Sequence, residues 1–297
     1  MKVALYYRHI DPADLSAFDS LCAELQRTGV ATQIIREGDS VDGFDYLFSI
    51  GGDGTLLSSV QLLSPSTPQH SPALPPVVGI NFGHLGFLTT AGRENLSTLV
   101  VDLLEGRFTL ERRTLLTIQT PALQSRPSGS GSTAPSPVNY ALNEVFLHRP
   151  EASSMLRTEV YVDDLYVATY AGDGVIVASP TGSTAYSLSC GGPILTPDCG
   201  CFVITPIGAH TLTLRPIIVP DSSRLRLVTV PASHHAGSRP SDEPFTLGMD
   251  SRRVTLYGSA TLNLGRAPFS IRLIRMNTQN FFSAIRDKLM WGTEVRP

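Results

Sequence analysis

The chain has 297 residues, enough for two domains that each bury a core, and its 42% hydrophobic and 16% charged content is that of a globular protein. A net charge of −3, with Lys2 and Lys288 the only lysines, excludes sequence-independent nucleic-acid binding as the main role. Four unevenly spaced cysteines exclude a disulfide framework, and no apolar run approaches the roughly 18 residues of a membrane span.

Residues 2–7 cluster apolar side chains as an opening strand does, and Arg8 and His9 follow too soon for a signal peptide. Cytoplasmic location is the default expectation. Residues 12–29 carry Leu15, Phe18, Leu21, Cys22 and Leu25 at helical spacing, with Gly29 as the stop. A strand around Thr32–Ile35 follows, and Tyr46–Ile50 is a short, fully apolar run. Leu56–Leu63 has helical composition and Val77–Asn81 reads as a further strand. Strands alternating with helices predict a parallel sheet with crossover helices.

Ser64–Pro76 and Pro121–Pro137, rich in Ser and Pro, are expected as surface loops. From about Thr109 the texture changes to short β-rich runs: Leu115–Gln119, Glu159–Val162, Val175–Ala178, Arg224–Val230, Arg253–Tyr257 and Phe269–Leu273. Gln279–Trp291 reads as a closing amphipathic helix. The predicted fold is an α/β open-sheet N-terminal domain (1–108) and an all-β C-terminal domain (109–275). A helix in 276–297 returns to the first domain.

Gly51-Gly52-Asp53-Gly54-Thr55 follows a buried strand and opens a helix. Backbone amides in such a turn, at the carboxyl end of a parallel strand, favour a phosphate anion. An aspartate among phosphates accepts a proton or binds a cation, both suited to phosphoryl transfer to a hydroxyl. The bland alternative, a helix-capping aspartate in a tight glycine turn, stays open on these residues alone. The turn is neither a Walker loop nor a GxGxxG fingerprint. Cys199-Gly200-Cys201 is too tight for the usual zinc spacing.

A second string, Gly172–Ser189, runs an apolar strand into a Pro-Thr-Gly-Ser-Thr turn dense in hydroxyls and amides. Such groups orient sugar hydroxyls and amides without adding charge.

Gly51–Thr55 resembles the Gly-Gly-Asp-Gly turn of a kinase superfamily that includes NAD kinases, diacylglycerol-type lipid kinases and phosphofructokinases. Gly172–Ser189 resembles the signature of the NAD kinases. Gly79–Thr89, Asn143-Glu144 and Thr205–Pro216 are similar to further segments of that family, in the same order.

The resemblance implies Asp53 as general base toward the 2′-hydroxyl of the adenosine ribose of NAD, with Gly54 beside it and Gly51, Gly52, Gly54 and Thr55 around phosphate. It implies that Phe87 packs on the dinucleotide and that Asn143 and Glu144 bind the adenosine ribose or its neighbours. Thr184, Ala185, Tyr186, Ser187, Leu188 and Ser189 would line the adenine and ribose pocket. Asp173 would hold the nicotinamide end from a neighbouring subunit, in a homodimer or homotetramer. Ser154 stands where the family has a polar or basic contact residue. Arg252 stands where it often has glutamine, so the contact there is open between a polar group and a phosphate.

The implied reaction is transfer of the γ-phosphoryl of ATP, with Mg²⁺ accompanying ATP and no tightly bound metal, to make NADP. The implied partners are NAD and ATP, with neither nucleic acid nor membrane. The alternatives are a lipid kinase sharing the turn and a non-catalytic NADP(H)-binding sensor.

Overall fold

A computed structural model describes residues 1–63, 74–84, 86–121, 138–150, 155–230, 243–276 and 280–292. Most of the two expected surface loops, and Ser154, lie outside the described residues. In chain order the elements are β1 (Lys2–Tyr6), α1 (Leu15–Arg27), β2 (Ala31–Ile35), β3 (Tyr46–Ile50), α2 (Asp53–Ser59), β4 (Val77–Ile80), α3 (Leu96–Leu104), β5 (Phe108–Gln119), β6 (Val138–Ala141) and β7 (Glu144–His148). They continue with β8 (Leu156–Val162), β9 (Leu165–Gly172), β10 (Gly174–Ala178), α4 (Tyr186–Ser189), β11 (Cys201–Ile207), β12 (Ile217–Pro220), β13 (Leu225–Val230), β14 (Pro244–Met249), β15 (Arg252–Tyr257), β16 (Thr261–Met276) and α5 (Phe281–Leu289).

The chain divides into two compact units, Met1–Arg113 with Ser270–Pro297, and Thr114–Phe269. In the first unit β1 pairs in parallel with β2 on one side and β3 on the other, and β4 extends the sheet beyond β3. The end of β16 adds a further parallel strand at Leu273 opposite Val77. Strands β3 and β4 are almost wholly buried, as expected of apolar runs covered on both faces. Helix α1 buries Ala17, Leu21 and Leu25, one residue per turn, against Val3, Leu5, Phe48 and Val78. The order β2-β1-β3-β4 places a topological switch point between β1 and β3. Ligands bind outside the carboxyl ends of strands at such a point. The Gly51–Thr55 turn leaves β3 there.

The second unit is built on antiparallel β-ladders. One sheet has the order β12-β11-β10-β7-β14-β15, and β13 pairs with β8 and with the first part of β16. Strand β10 is buried at every position because both faces are covered. Val175 and Val177 point into a core with Phe202, Leu227 and Leu262, while Ile176 and Ala178 face a second cluster with Phe146, Leu195 and Val203.

The α/β first unit, the β-built second and the C-terminal helix are the elements expected from the sequence. Strands β5 and β16 are much longer than the short runs read from it, and β6, β7, β9, β11, β12 and β14 were not foreseen. Gly265 and Pro268 interrupt the strand signal inside β16, which pairs on either side of them, at Thr261–Leu264 with β13 and at Leu273 with β4. Helix α2 begins at Asp53 rather than Leu56, which places the aspartate in the first helical turn.

Candidate active site

In the first unit, β3 delivers Ile50 to a sharp turn. Gly51 has φ +140°, a conformation L side chains avoid, and a Cβ there would lie 2.4 Å from Thr55 Oγ1. Its amide donates to the Ile80 carbonyl at 2.7 Å, which ties the turn to β4. Gly52 is the N-cap of α2, and no side chain caps this helix.

The Asp53 carboxylate does not cap its own helix. It reaches the loop after β4, where Oδ2 accepts the Phe87 amide at 2.8 Å and Oδ1 the Leu88 amide at 3.1 Å. Gly86 permits this approach, since a Cβ there would stand 1.9 Å from Asp53 Oδ1. Each carboxylate oxygen keeps a further lone pair for a proton or a cation. Gly54 is exposed, and Gly51, Gly52 and Thr55 are half-buried beside it.

Phe87 is not a core residue. Phe82 and Leu88 fill the interior, and Phe87 is half-buried beside a cavity of about 90 Å³ also lined by Arg275, Asn280, Phe281 and Lys288.

In the second unit, Asn143 lies between β6 and β7 and Glu144 opens β7, and both are fixed through their backbones. Asp250, in the left-handed region at φ 51° in the turn between β14 and β15, aims its carboxylate at them. Oδ2 accepts the Leu142 amide at 2.8 Å, and Oδ1 accepts the amides of Asn143 at 2.8 Å and Glu144 at 3.2 Å. Ser179, just after β10, donates its amide to the Asn143 carbonyl at 2.9 Å. The backbone is thus satisfied while two side-chain atoms are not. Asn143 Oδ1 and Glu144 Oε2 are buried without a hydrogen-bond partner. Buried polar atoms in that state call for a partner from outside the chain, a water or a ligand.

Burial, and then the Asp250 carboxylate, push the Glu144 carboxyl up to about 8, against the pull of the Tyr186 amide. The folded chain therefore keeps a proton on Glu144 from the unfolded value of 4.5 up to about 8. Its contribution to stability is fully present below 4.5 and is lost as pH rises through 8. Asp250 is raised in the same direction, chiefly by burial. The unfolding free energy, measured in urea, should fall by on the order of 3–5 kcal/mol between about pH 4.5 and pH 8.5, and Glu144→Gln should remove most of that slope. Equal slopes in the two proteins would contradict this cause.

The Pro180–Ser189 segment folds as a 3₁₀ turn over Thr181–Thr184 followed by α4. Ser187 is buried and shares a hydrogen bond with Thr205 at 2.8 Å, so its hydroxyl is spent within the unit. Thr184 Oγ1 donates to the Thr181 carbonyl at 3.2 Å. Tyr186 packs edge-on against Phe146, with ring centroids 5.5 Å apart. Ala185, Tyr186 and Leu188 are half-buried and Ser189 is exposed.

Asp173 pairs with Arg149, whose Nε lies 2.6 Å from Oδ1. Arg252 is turned inward, donating from Nη1 to Asn139 Oδ1 at 3.1 Å and from Nη2 to the Tyr140 carbonyl. Its guanidinium fork props up β6, an internal contact the sequence reading did not foresee. Asp250, Arg149 and Arg275 were also absent from the predicted site. The available signal for Arg275 was an arginine inside the apolar run that ends β16. Asp250 lies in a tight turn, where aspartate tolerates positive φ.

No group of three or more His, Cys, Asp or Glu side chains able to hold a metal ion occurs among the described residues. The four cysteines are free thiols. Among the described residues no helix is long and apolar enough to cross a membrane.

Comparison with known proteins adds to this geometry. Residues 14–108 match the family described as the ATP-NAD kinase N-terminal domain, and residues 142–238 the ATP-NAD kinase C-terminal domain. The chain is 40% identical over 252 residues to an NAD kinase of Porphyromonas gingivalis, covering 85% of this chain and 78% of that one. It is 37% identical over 256 residues to an NAD kinase of Christiangramia forsetii, covering 86% and 79%. A crystal structure of yeast NADH kinase complexed with NADH matches with a TM-score of 0.82 at 22% identity, over 99% of this chain and 89% of that one. An NAD kinase from Archaeoglobus fulgidus in complex with ATP matches at 0.72 and 24% identity, over 98% and 99%. These two structural likenesses speak to the fold.

Proposed function

The chain belongs to the ATP-NAD kinase family and is an NAD kinase, and from that premise we propose which of its residues carry the reaction. Asp53 takes the proton of the adenosine 2′-hydroxyl of NAD as that oxygen attacks the γ-phosphoryl of ATP, giving NADP and ADP. The backbone of Gly51, Gly52, Gly54 and Thr55 faces the phosphates. Asn143 and Glu144 bind the adenosine ribose, Tyr186 and its neighbours the adenine, and Phe87 packs on the dinucleotide.

The observation that carries this assignment is the pair of buried, unpartnered atoms Asn143 Oδ1 and Glu144 Oε2, held beside the hydroxyl-rich turn by a fully bonded backbone. At neutral pH Glu144 is a neutral carboxyl, so it both donates and accepts toward a sugar hydroxyl without repelling nearby phosphates. Asp173 reaches the nicotinamide end from a neighbouring subunit in a homodimer or homotetramer, and the cytoplasm is the proposed location. The family membership supports both statements.

The unit that holds Asp53 also has a depression of about 680 Å³ at the carboxyl ends of β1 and β2, lined by Tyr7, Arg8, His9, Arg36 and Glu37 among others. The Arg36 guanidinium lies 4.5 Å over the Tyr7 ring. Asp53 is the one carboxylate among the residues proposed to face the phosphates, which would suit Mg²⁺ that arrives with ATP and takes most of its ligands from phosphate and water. When bound, the ion neutralises charge on the transferred group. The protein's own residues place the hydroxyl and receive its proton.

The test is NADP formation from NAD and ATP–Mg²⁺, read with an NADP-specific dehydrogenase. Steady turnover well above an Asp53→Asn blank is expected. NADP(H) binding without any turnover would make the chain a sensor, and ATP consumption with diacylglycerol but not NAD would make it a lipid kinase.

A further inference from the structure

Arg275, one residue before the end of β16, is 9% exposed, and a buried guanidinium persists only where its donors are paired. Its Nε donates to Glu111 Oε2 at 3.0 Å, and its other two nitrogens leave that ion pair. Nη1 donates to the Thr89 carbonyl at 3.3 Å and Nη2 to the Phe87 carbonyl. A residue serving only to balance Glu111 needs no loop carbonyls. Glu111 also pairs with Arg113, and although burial would raise its carboxyl, Arg275 and Arg113 hold it below the usual value.

The Phe87 carbonyl belongs to the same planar peptide unit as the Leu88 amide. In a trans peptide these two groups point in opposite directions. One end of the Phe87–Leu88 unit is therefore held by Arg275 while the other donates to Asp53 Oδ1. The next anchor works alike: Thr89 offers its carbonyl to Arg275 and its hydroxyl oxygen to the Gly86 amide at 2.6 Å. The loop that cradles Asp53 is thus clamped from behind by one side chain, and hydrogen bonds in series polarise one another.

We propose that Arg275 is a positioning residue for phosphoryl transfer, fixing the Asp53 carboxylate through the Phe87–Leu88 peptide unit. The inference rests on the assignment of Asp53 as base. Lysine cannot replace it, because one ammonium does not span two carbonyls and a carboxylate in the geometry of the guanidinium fork. Displacing a reacting group by about 1 Å costs on the order of 100-fold in rate, so the clamp acts on kcat more than on binding.

The experiment compares Arg275→Ala, Arg275→Lys, Glu111→Gln and Asp53→Asn in the full chain, measuring kcat, the calorimetric Kd for NAD and the thermal midpoint. Expected for both Arg275 variants is a kcat about 30- to 100-fold lower, with the NAD Kd changed less than about threefold. Methylguanidine should restore at least about tenfold to Arg275→Ala, entering the space of the lost side chain beside the 90 Å³ cavity, and nothing to Asp53→Asn. Should Arg275→Ala not fold, Glu111→Gln decides, with a fall in kcat of about fivefold at unchanged Kd. The proposal is overturned if kcat stays within threefold of wild type, or if Kd rises as much as kcat falls and methylguanidine rescues nothing. Near-wild-type turnover in Asp53→Asn instead removes the base assignment itself, so the two failures are distinguishable.

Discussion

Replacing Asp53 with asparagine lowers kcat for NADP formation by about 10²- to 10⁴-fold, the range general-base catalysis supplies, and leaves the Kd for NAD within about threefold. Asparagine keeps the shape but loses the proton acceptor. It also places an NH₂ group where one of the two amides, Phe87 or Leu88, now finds an oxygen. One half-buried donor is then unpaired, at a cost toward the low end of about 1–3 kcal/mol. Stability therefore falls slightly while turnover collapses, and the two are separated by correcting kcat for the folded fraction at the assay temperature. Retention of more than about a tenth of wild-type kcat would remove Asp53 from the role of base.

Asp250→Ala has the second large effect, and it appears in KM and stability together. Three amides in the Leu142–Glu144 turn lose their only carboxylate acceptor, and hydrogen bonds to a charged group are each worth about 1.5–3 kcal/mol. Burial raises the Asp250 carboxyl and so offsets part of that gain. Alanine also tolerates the φ of 51° less well than aspartate. The net expectation is a loss of about 3–5 kcal/mol in unfolding free energy and a KM for NAD raised at least about tenfold. Asp250→Asn keeps one acceptor oxygen and the backbone preference, and should fall between. Wild-type KM with an unchanged thermal midpoint in Asp250→Ala would show that the amides find other acceptors and that the clamp is dispensable.

Local chemistry made part of the site legible in the sequence. Tyr46–Ile50 is apolar at nearly every position and ends in glycines, so a buried strand delivering a tight turn follows from five residues and their neighbours. Gly172–Ser189 likewise announces a strand and a hydroxyl-rich turn. The groups that hold these motifs were not legible. Asp53 bonds to an amide 34 positions away, Asp250 to one 107 positions away, and Arg275 to a carbonyl 188 positions away. Periodicity shows which face of an element is buried and says nothing of which distant strand lies beside it. Arg252 is a case of the same limit: its position suggested a ligand contact, and its fork is engaged with Asn139 and Tyr140.

By itself the sequence determined the α/β and β halves of the chain, the kinase family it resembles and the aspartate proposed as the base. These depend on short-range pattern and on residue types that few other environments require. Only the tertiary structure decided that Asp53 turns away from its own helix, that burial raises the Glu144 carboxyl and leaves Oε2 without a partner, and that Arg275 and Asp250 brace the two motifs from behind. Those outcomes depend on strand register. The pairing of Leu273 with Val77 carries Arg275 to the loop after β4, and the hairpin of β14 and β15 carries Asp250 to the start of β7. A slip of one residue would turn Arg275 to the opposite face of its sheet, and a slip of β14 on β7 would move the Asp250 turn away from the amides it holds.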